Sequence, residues 1–226
     1  FNNNLFKWKK RNKLEFFVDF ETIAGSLCKY DSDYVGDKWD GSLIFMIGIG
    51  WYLNNKWTFK NFCVDSINPQ NEKKIIIEMH ACIKSVTESM SIKYKPNLYH
   101  WGHAEQSFYK QSTLRHKLKP VLCDQLCNFL SVVKSEPIVV RGALNFGLKS
   151  VANALYKLGK INSIWGESNI SDGLNAMVCA YNEHKITPAG KQVSFKESDT
   201  INEIINYNEI DCKVVGEIIR YFRKLV

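Results

Sequence analysis

Leu14-Glu-Phe-Phe-Val-Asp-Phe-Glu-Thr22 reads as a buried β-strand, because aromatic and β-branched residues crowd it. Side chains two apart on a strand share a face, so Asp19 and Glu21 emerge side by side. Two adjacent anions taken out of water repel each other, and the cost is large unless a cation compensates. A divalent metal ion is the obvious cation, and it directs attention to phosphate chemistry.

Downstream, residues 23–42 are rich in Asp, Gly and Ser and read as a long connection. Leu43 to Tyr52 and Lys56 to Val64 are strand-like runs joined by Leu53-Asn54-Asn55, a hairpin signal. With the first run they predict three consecutive antiparallel strands. Ile47-Gly-Ile-Gly50 is not a dinucleotide fingerprint, since it lacks a third glycine and lies inside the hairpin. Asn68-Pro69 opens a helix to about Met90, with Ile75, Ile76, Met79, Ile83 and Val86 at helical spacing. Asn97 to Trp101 reads as a short strand and Ala104 to Lys117 as a helix. Val121 to Asp124 reads as a further short strand, with Asp124 capping the helix that follows. Leu148 to Leu158, Gly173 to His184 and Thr200 to Leu225 are predicted helices. Alternation of strand and helix in the second half implies an α/β class.

The bulk properties agree with a globular chain. Its 226 residues suit one domain, 45% are apolar, and six Trp, ten Tyr and thirteen Phe can fill a core. The formal charge of +7 is a bias toward a polyanionic partner. Five basic residues between Lys7 and Lys13 form the densest cationic cluster, read either as a solvated, frayed terminus or as an arm contacting phosphates. The expected division is residues 1–13 as a basic arm or linker and 14–226 as the domain. Seven dispersed cysteines without a C-x-x-C pair suggest free thiols in a reducing, intracellular compartment, cytoplasm or nucleus. No signal peptide is evident. The longest apolar run, Leu43 to Leu53, is too short to span a bilayer and carries two glycines, so no membrane partner is expected. Phe1 in place of Met suggests a piece of a larger polypeptide.

The final helix repeats the puzzle of the first strand. Ile201, Ile204, Asn208, Asp211, Val215, Ile218 and Phe222 fall at three- and four-residue steps, which is one helix face. Asp211 therefore sits in an apolar stripe, where a carboxylate requires a partner. Tyr207 lies one turn earlier, giving Tyr207-Asn-Glu-Ile-Asp211.

A D-x-E strand near the start, a carboxylate midway and a Y-x-x-x-D helix at the end resemble the DEDD exonuclease superfamily in its tyrosine-bearing form. More closely, the chain resembles the predicted ribonuclease H-like exonuclease domains linked to RecB-type nucleases, including versions in large DNA viruses. The stretches that carry the resemblance are EFFVDFET (15–22), SLIFMIGIGW (42–51), YHWGHAEQSFY (99–109), SEPIVVRGALNFGLKSVANAL (135–155) and YNEIDCKVVGEII (207–219). The resemblance implies a ribonuclease H-like fold: a mixed five-stranded sheet, three antiparallel strands then parallel strands, flanked by helices. It implies a metal-dependent 3′–5′ exonuclease acting on a single-stranded DNA or RNA 3′ end. Two Mg²⁺ or Mn²⁺ ions about 3.5–4 Å apart would serve the hydrolysis.

By that resemblance Asp19 bridges the ions, and Glu21 and Asp211 complete the water-activating site. The middle motif ordinarily carries Asp; here the matching carboxylate is Glu105, in His100-Trp-Gly-His-Ala-Glu105. One methylene longer, it would reach a metal from a different backbone placement. Asp124 is its rival, better read as a helix cap. Oxygen-only ligands suit hard cations. Tyr207 would orient the nucleophilic water, since an ordinary pKa near 10 makes it a poor base at neutral pH.

Around these residues several readings stay open. A zinc site at His100, His103 and Glu105 lacks closed-site spacing and a cysteine pair. His103 either contacts the scissile phosphate or a carboxylate, or is a hydrogen-bonded histidine at a strand end. Arg141 and Lys149 either contact the nucleic-acid backbone or are solvated. Trp101 and Trp165 either stack on bases or pack in the core. Two rival functions accompany the exonuclease: a structure-specific endonuclease on the same site, and a catalytically silent nucleic-acid-binding domain.

Overall fold

The computed structural model describes residues 5–32, 38–166, 169–186 and 195–226. Five strands, β1 (Phe16–Ala24), β2 (Ser42–Leu53), β3 (Lys56–Cys63), β4 (Leu98–His100) and β5 (Leu126–Asn128), form one sheet in the order β3-β2-β1-β4-β5. β1 and β3 run antiparallel to β2, while β1, β4 and β5 are mutually parallel neighbours. The helices are α1 (Gly25–Tyr30), α2 (Pro69–Ser89), α3 (Ala104–Arg115), α4 (Phe129–Ser135), α5 (Leu148–Lys157), α6 (Gly173–Ile186) and α7 (Asp199–Phe222). The chain is therefore an α/β protein with a mixed five-stranded sheet, three strands antiparallel and the rest added in parallel, flanked by helices.

β1 is the central strand, and its alternation separates two packing layers. Phe16, Val18 and Phe20 join a core with Ile75, Ile76 and Met79 of α2. Phe17, one residue out of phase, joins Val214, Val215 and Ile218 of α7. Asp19 and Glu21 share the phase of Phe17 and so face α7. The two-residue turn between β2 and β3 is Asn54-Asn55, both at positive φ (50° and 63°), which matches the twist of the flanking strands. Asn68 caps α2 by accepting from the Asn71 N–H at 2.9 Å, with Pro69 at the first helical position. Ser198 caps α7 likewise, at 3.1 Å from the Ile201 N–H.

The register of β1 against β2 shifts between Glu21 and Thr22: Glu21 faces Met46 and Thr22 faces Ile44, so Phe45 is an extra residue in β2. The Ile44 N–H at this bulge donates to Glu72 Oε1 at 2.8 Å. Glu72 is fully buried; its other oxygen accepts from Arg115 Nη1 at 2.5 Å and from His116 Nε2 at 2.6 Å. Arg115 Nη2 reaches the Ser42 carbonyl at 2.8 Å. One carboxylate thus joins α2, the end of α3 and the bulge beside Glu21.

Two predicted elements are corrected. The tract 23–42 is not simply a connection: β1 runs to Ala24 and α1 follows, while 33–37 lie outside the described residues. Residues 121–124 form a turn, with the Gln125 and Leu126 N–H groups both donating to the Leu122 carbonyl (2.9 and 3.1 Å). The strand comes just after, at Leu126–Asn128, so Asp124 caps no helix and Asn128 occupies the position before α4. Two short apolar runs lie almost back to back there, and the first is consumed by the turn.

The basic segment is packed from its aromatic residue. Trp8 is fully buried, edge-on to Phe129 at 5.3 Å, and its carbonyl accepts from Arg223 Nε at 2.5 Å. All seven cysteines are free, four of them buried. Among the described residues no helix is long and apolar enough to cross a membrane.

Candidate metal centre

Asp19 and Glu21 on β1 meet Asp211 of α7, and one oxygen of each lies within 4.8 Å of the others. The approach of α7 to the sheet makes this possible. Gly48 of β2 lies directly opposite Asp19, and a Cβ there would fall 1.8 Å from Asn208 Oδ1. With no side chain at Gly48, Asn208 enters the layer between helix and sheet. Asp211, three residues on, is thereby set over the β1 carboxylates. Gly50 on the same face leaves the space that the Trp57 ring fills. The Ile47-Gly-Ile-Gly50 pattern is thus a seat for side chains.

Asn208 is fully buried and holds Asp19 in place. Its Nδ2 donates to Asp19 Oδ2 at 2.7 Å and to the Asp19 carbonyl at 3.3 Å. Asn208 Oδ1 and Glu21 Oε1 are buried acceptors with no donor among the described residues. Unsatisfied buried acceptors beside three converging carboxylates are what a bound cation would satisfy. The group could hold a metal ion, and its donors are all oxygen.

Electrostatics describe the same place. Burial, then the charges of Asp211, Glu21 and Glu105, hold the Asp19 carboxyl well above its usual range, against the Asn208 hydrogen bond. Burial and then Asp211 push Glu21 up to about 8. Burial pushes Asp211 up to about 7, opposed first by the Lys149 charge and then by the neighbouring Tyr207 hydroxyl. Tyr207 is raised far above the ordinary tyrosine value, by burial first and then by Asp211. Its hydroxyl keeps its proton at neutral pH and acts as a donor.

These shifts predict a pH dependence. Below the ordinary carboxylate range, folded and unfolded chains are equally protonated and the shifts cost nothing. From 4.5 to about 8 for Glu21 and from 3.8 to about 7 for Asp211, the folded chain retains protons that the unfolded chain releases. Stability of the metal-free protein therefore falls as pH rises through that window. A divalent ion replaces the protons, so its stabilising effect grows over the same interval. Thermal midpoints at both ends of the window, with and without Mn²⁺, check this. A metal-induced gain that is equal at the two ends contradicts it.

Glu105 stands next to the trio without joining it. It is buried in the first turn of α3, and its Oε2 accepts from Nδ1 of the fully buried His100 at 2.9 Å. Its charge nevertheless acts on Asp19, Glu21 and Asp211. Asp124 is exposed on the turn before β5. His103, exposed at the start of α3, accepts through Nδ1 from Asn128 Nδ2 at 3.2 Å, while Asn128 Oδ1 accepts from the Gly102 N–H at 3.0 Å. Trp101 is tied into the body, its indole donating to the Phe146 carbonyl at 3.0 Å. Arg141 is exposed on the turn that precedes α5.

Lys149, in the first turn of α5, is drawn to the centre. Its ammonium stands 4.8 Å over the Tyr207 ring and 5.3 Å over Trp165, and it donates to the Ser171 carbonyl. The Trp165 indole N–H has no hydrogen-bond acceptor among the described residues, yet lies near enough to Asp211 to favour its charged form. Trp165, Tyr207, Asn206 and Ile210 line a cleft of about 580 Å³ beside the carboxylates.

Asn208 and Glu72 carry no role in the sequence reading. Asn208 had a signal, since it is a polar residue in the stripe that exposed Asp211. Comparisons of the chain with protein-family models, curated proteins and solved structures find no match.

Proposed function

We propose that the chain is a metal-dependent 3′–5′ exonuclease domain of the ribonuclease H-like fold, hydrolysing phosphodiester bonds of single-stranded DNA or RNA. The observation that carries this reading is the convergence of Asp19, Glu21 and Asp211 from opposite ends of the chain, with the Tyr207 hydroxyl beside them. The sheet order, three antiparallel strands followed by two parallel ones, supports the fold assignment. Asp19, Glu21 and Asp211 would hold Mg²⁺ or Mn²⁺, with Glu105 reaching the second ion directly or through water. Two such ions, when bound, stabilise the attacking and departing oxygens of the displacement.

The chain's own groups divide the remaining work. Asn208 fixes Asp19. Tyr207, a proton donor beside Asp211, orients the attacking water. Lys149 supplies positive charge beside Asp211 and Tyr207, where a phosphate would lie. Arg141 and His103 are exposed and available to the strand backbone.

The test uses linear and circular single strands with Mn²⁺. The expected result is progressive shortening of the linear strand from its 3′ end and an intact circle. Cleavage of the circle assigns the site to an endonuclease. A catalytically silent nucleic-acid-binding domain is the second reading, favoured by the His100 bond that occupies Glu105. It predicts no shortening of either strand.

A further inference from the structure

Beyond the carboxylates, α7 carries a second groove. Its floor is the outward face of α7 from Lys213 to Arg220, continued by Lys224 in the turn after the helix; one wall is the β2–β3 hairpin at Tyr52 and Trp57, and the other is the segment 160–163. Its volume is about 470 Å³. That wall is strapped to the helix by Glu217, which accepts from the Asn162 and Ser163 N–H groups at 2.7 and 2.9 Å and from Ser163 Oγ at 2.8 Å. The acid inside the groove is thus already engaged. The other nearby acid, Glu209, accepts from the Trp57 indole at 2.9 Å.

The cations are not paired with acids. Lys160, Lys213, Arg220 and Lys224 line the groove, and among the described residues none forms an ion pair with a carboxylate. Arg220 is stacked 4.3 Å over the Tyr52 ring, which fixes its charge in place. A smaller hollow sharing Tyr52 and Arg220 extends the groove toward Arg11 and Lys13. Four cations against one carboxylate in the lining, set among Tyr52, Trp57 and Tyr221, make the combination that binds a single strand: charge for phosphates, rings for bases.

The groove also lines up with the metal centre. Asn206, Ile210, Lys213, Glu217 and Arg220 follow one another at three- and four-residue steps on one face of α7, and Lys224 lies four residues beyond Arg220 in the short 3-10 turn after the helix. The first two line the cleft beside Tyr207 and the rest line the groove. Tyr207 and Arg220 are thirteen residues apart on the helix, about 20 Å at 1.5 Å per residue. That length matches about six nucleotides of stacked strand at 3.4 Å each.

We propose that this groove is a second binding site, for the single-stranded nucleic acid several nucleotides away from the end held at the carboxylates. It deepens the nuclease reading and rests on it for the identity of the polyanion. The groove favours a polynucleotide over an acidic polypeptide because the wall at Tyr52 and Trp57 is aromatic.

Anisotropy of a labelled oligothymidylate of about 20 nucleotides, above the 4–16 of one typical binding fold, tests this in EDTA. Without metal, binding is read apart from hydrolysis. The Lys213→Ala/Lys224→Ala protein should bind about tenfold more weakly at low salt. Its slope of log affinity against log salt should fall by about 1.4, at about 0.7 per lost phosphate contact. The Lys213→Arg/Lys224→Arg protein should retain both. Unchanged affinity and slope overturn the proposal, as does polyglutamate of equal charge binding as tightly. Absence of hydrolysis with these effects intact refutes the nuclease reading and leaves the groove standing.

Discussion

Asp19→Asn should abolish metal-dependent hydrolysis, by about 10³-fold or more, while the protein stays folded. The substitution keeps the shape of the side chain and lets its oxygen go on accepting from Asn208 Nδ2, now at 2.7 Å. It removes the charge from a residue that converges with Glu21 and Asp211. Transition-state stabilisation by bound metal is worth several kcal/mol, and about 1.36 kcal/mol is a factor of ten. The same change should make the metal-free protein more stable, because one of three mutually repelling acids becomes neutral. At about 2–4 °C per kcal/mol for a domain of this size, the gain is readable in a melt. Paired assays decide the matter. Undiminished hydrolysis removes Asp19 from the mechanism, and a lowered midpoint makes it a structural acid.

The second large effect concerns stability. Glu72→Ala should lower it by about 3–5 kcal/mol, the usual consequence of removing one partner from a buried ion pair. The loss is compound. Arg115 and His116 lose their acceptor, and the Ile44 N–H at the β2 bulge loses its own. At about 2–4 °C per kcal/mol, the midpoint should drop by roughly 10 °C. The bulge lies directly across from Glu21, so metal binding should weaken as well. A melt within about 1 °C of the parent protein, well inside the effect of one kcal/mol, would show that the bulge holds without this carboxylate.

Legibility in the sequence followed periodicity. β1 and the β2–β3 hairpin were readable because their residues alternate or crowd as strands do, and Asn54-Asn55 is a hairpin turn by composition. Asp211 was readable because a carboxylate interrupts a regular apolar stripe, and that stripe is buried as read. The Glu72 network was not readable. Glu72 lies in the first turn of α2, and Arg115 and His116 lie at the end of α3. Each is where the helix dipole alone would favour it, so nothing marks them as partners. The His100–Glu105 bond spans a strand end and a helix start, a separation with no period to detect. At 121–128 two short apolar runs compete for one strand, and local pattern cannot rank them. The role of Asn208 depended on Gly48, a residue 160 positions away.

The placement of Asp19 and Glu21 has a consequence before the fold exists. β1 is a nine-residue run of aromatic, β-branched and small residues, interrupted only by these two charges. Its partners β2 and β4 come later in the chain, and the α7 layer comes last. A newly made or transiently opened chain therefore displays a segment with the makings of a sticky strand. Two negative charges on one face break that character and discourage like strands from stacking in register. The repulsion that weighs on the folded, metal-free site is the same repulsion that keeps the exposed strand apart from its copies.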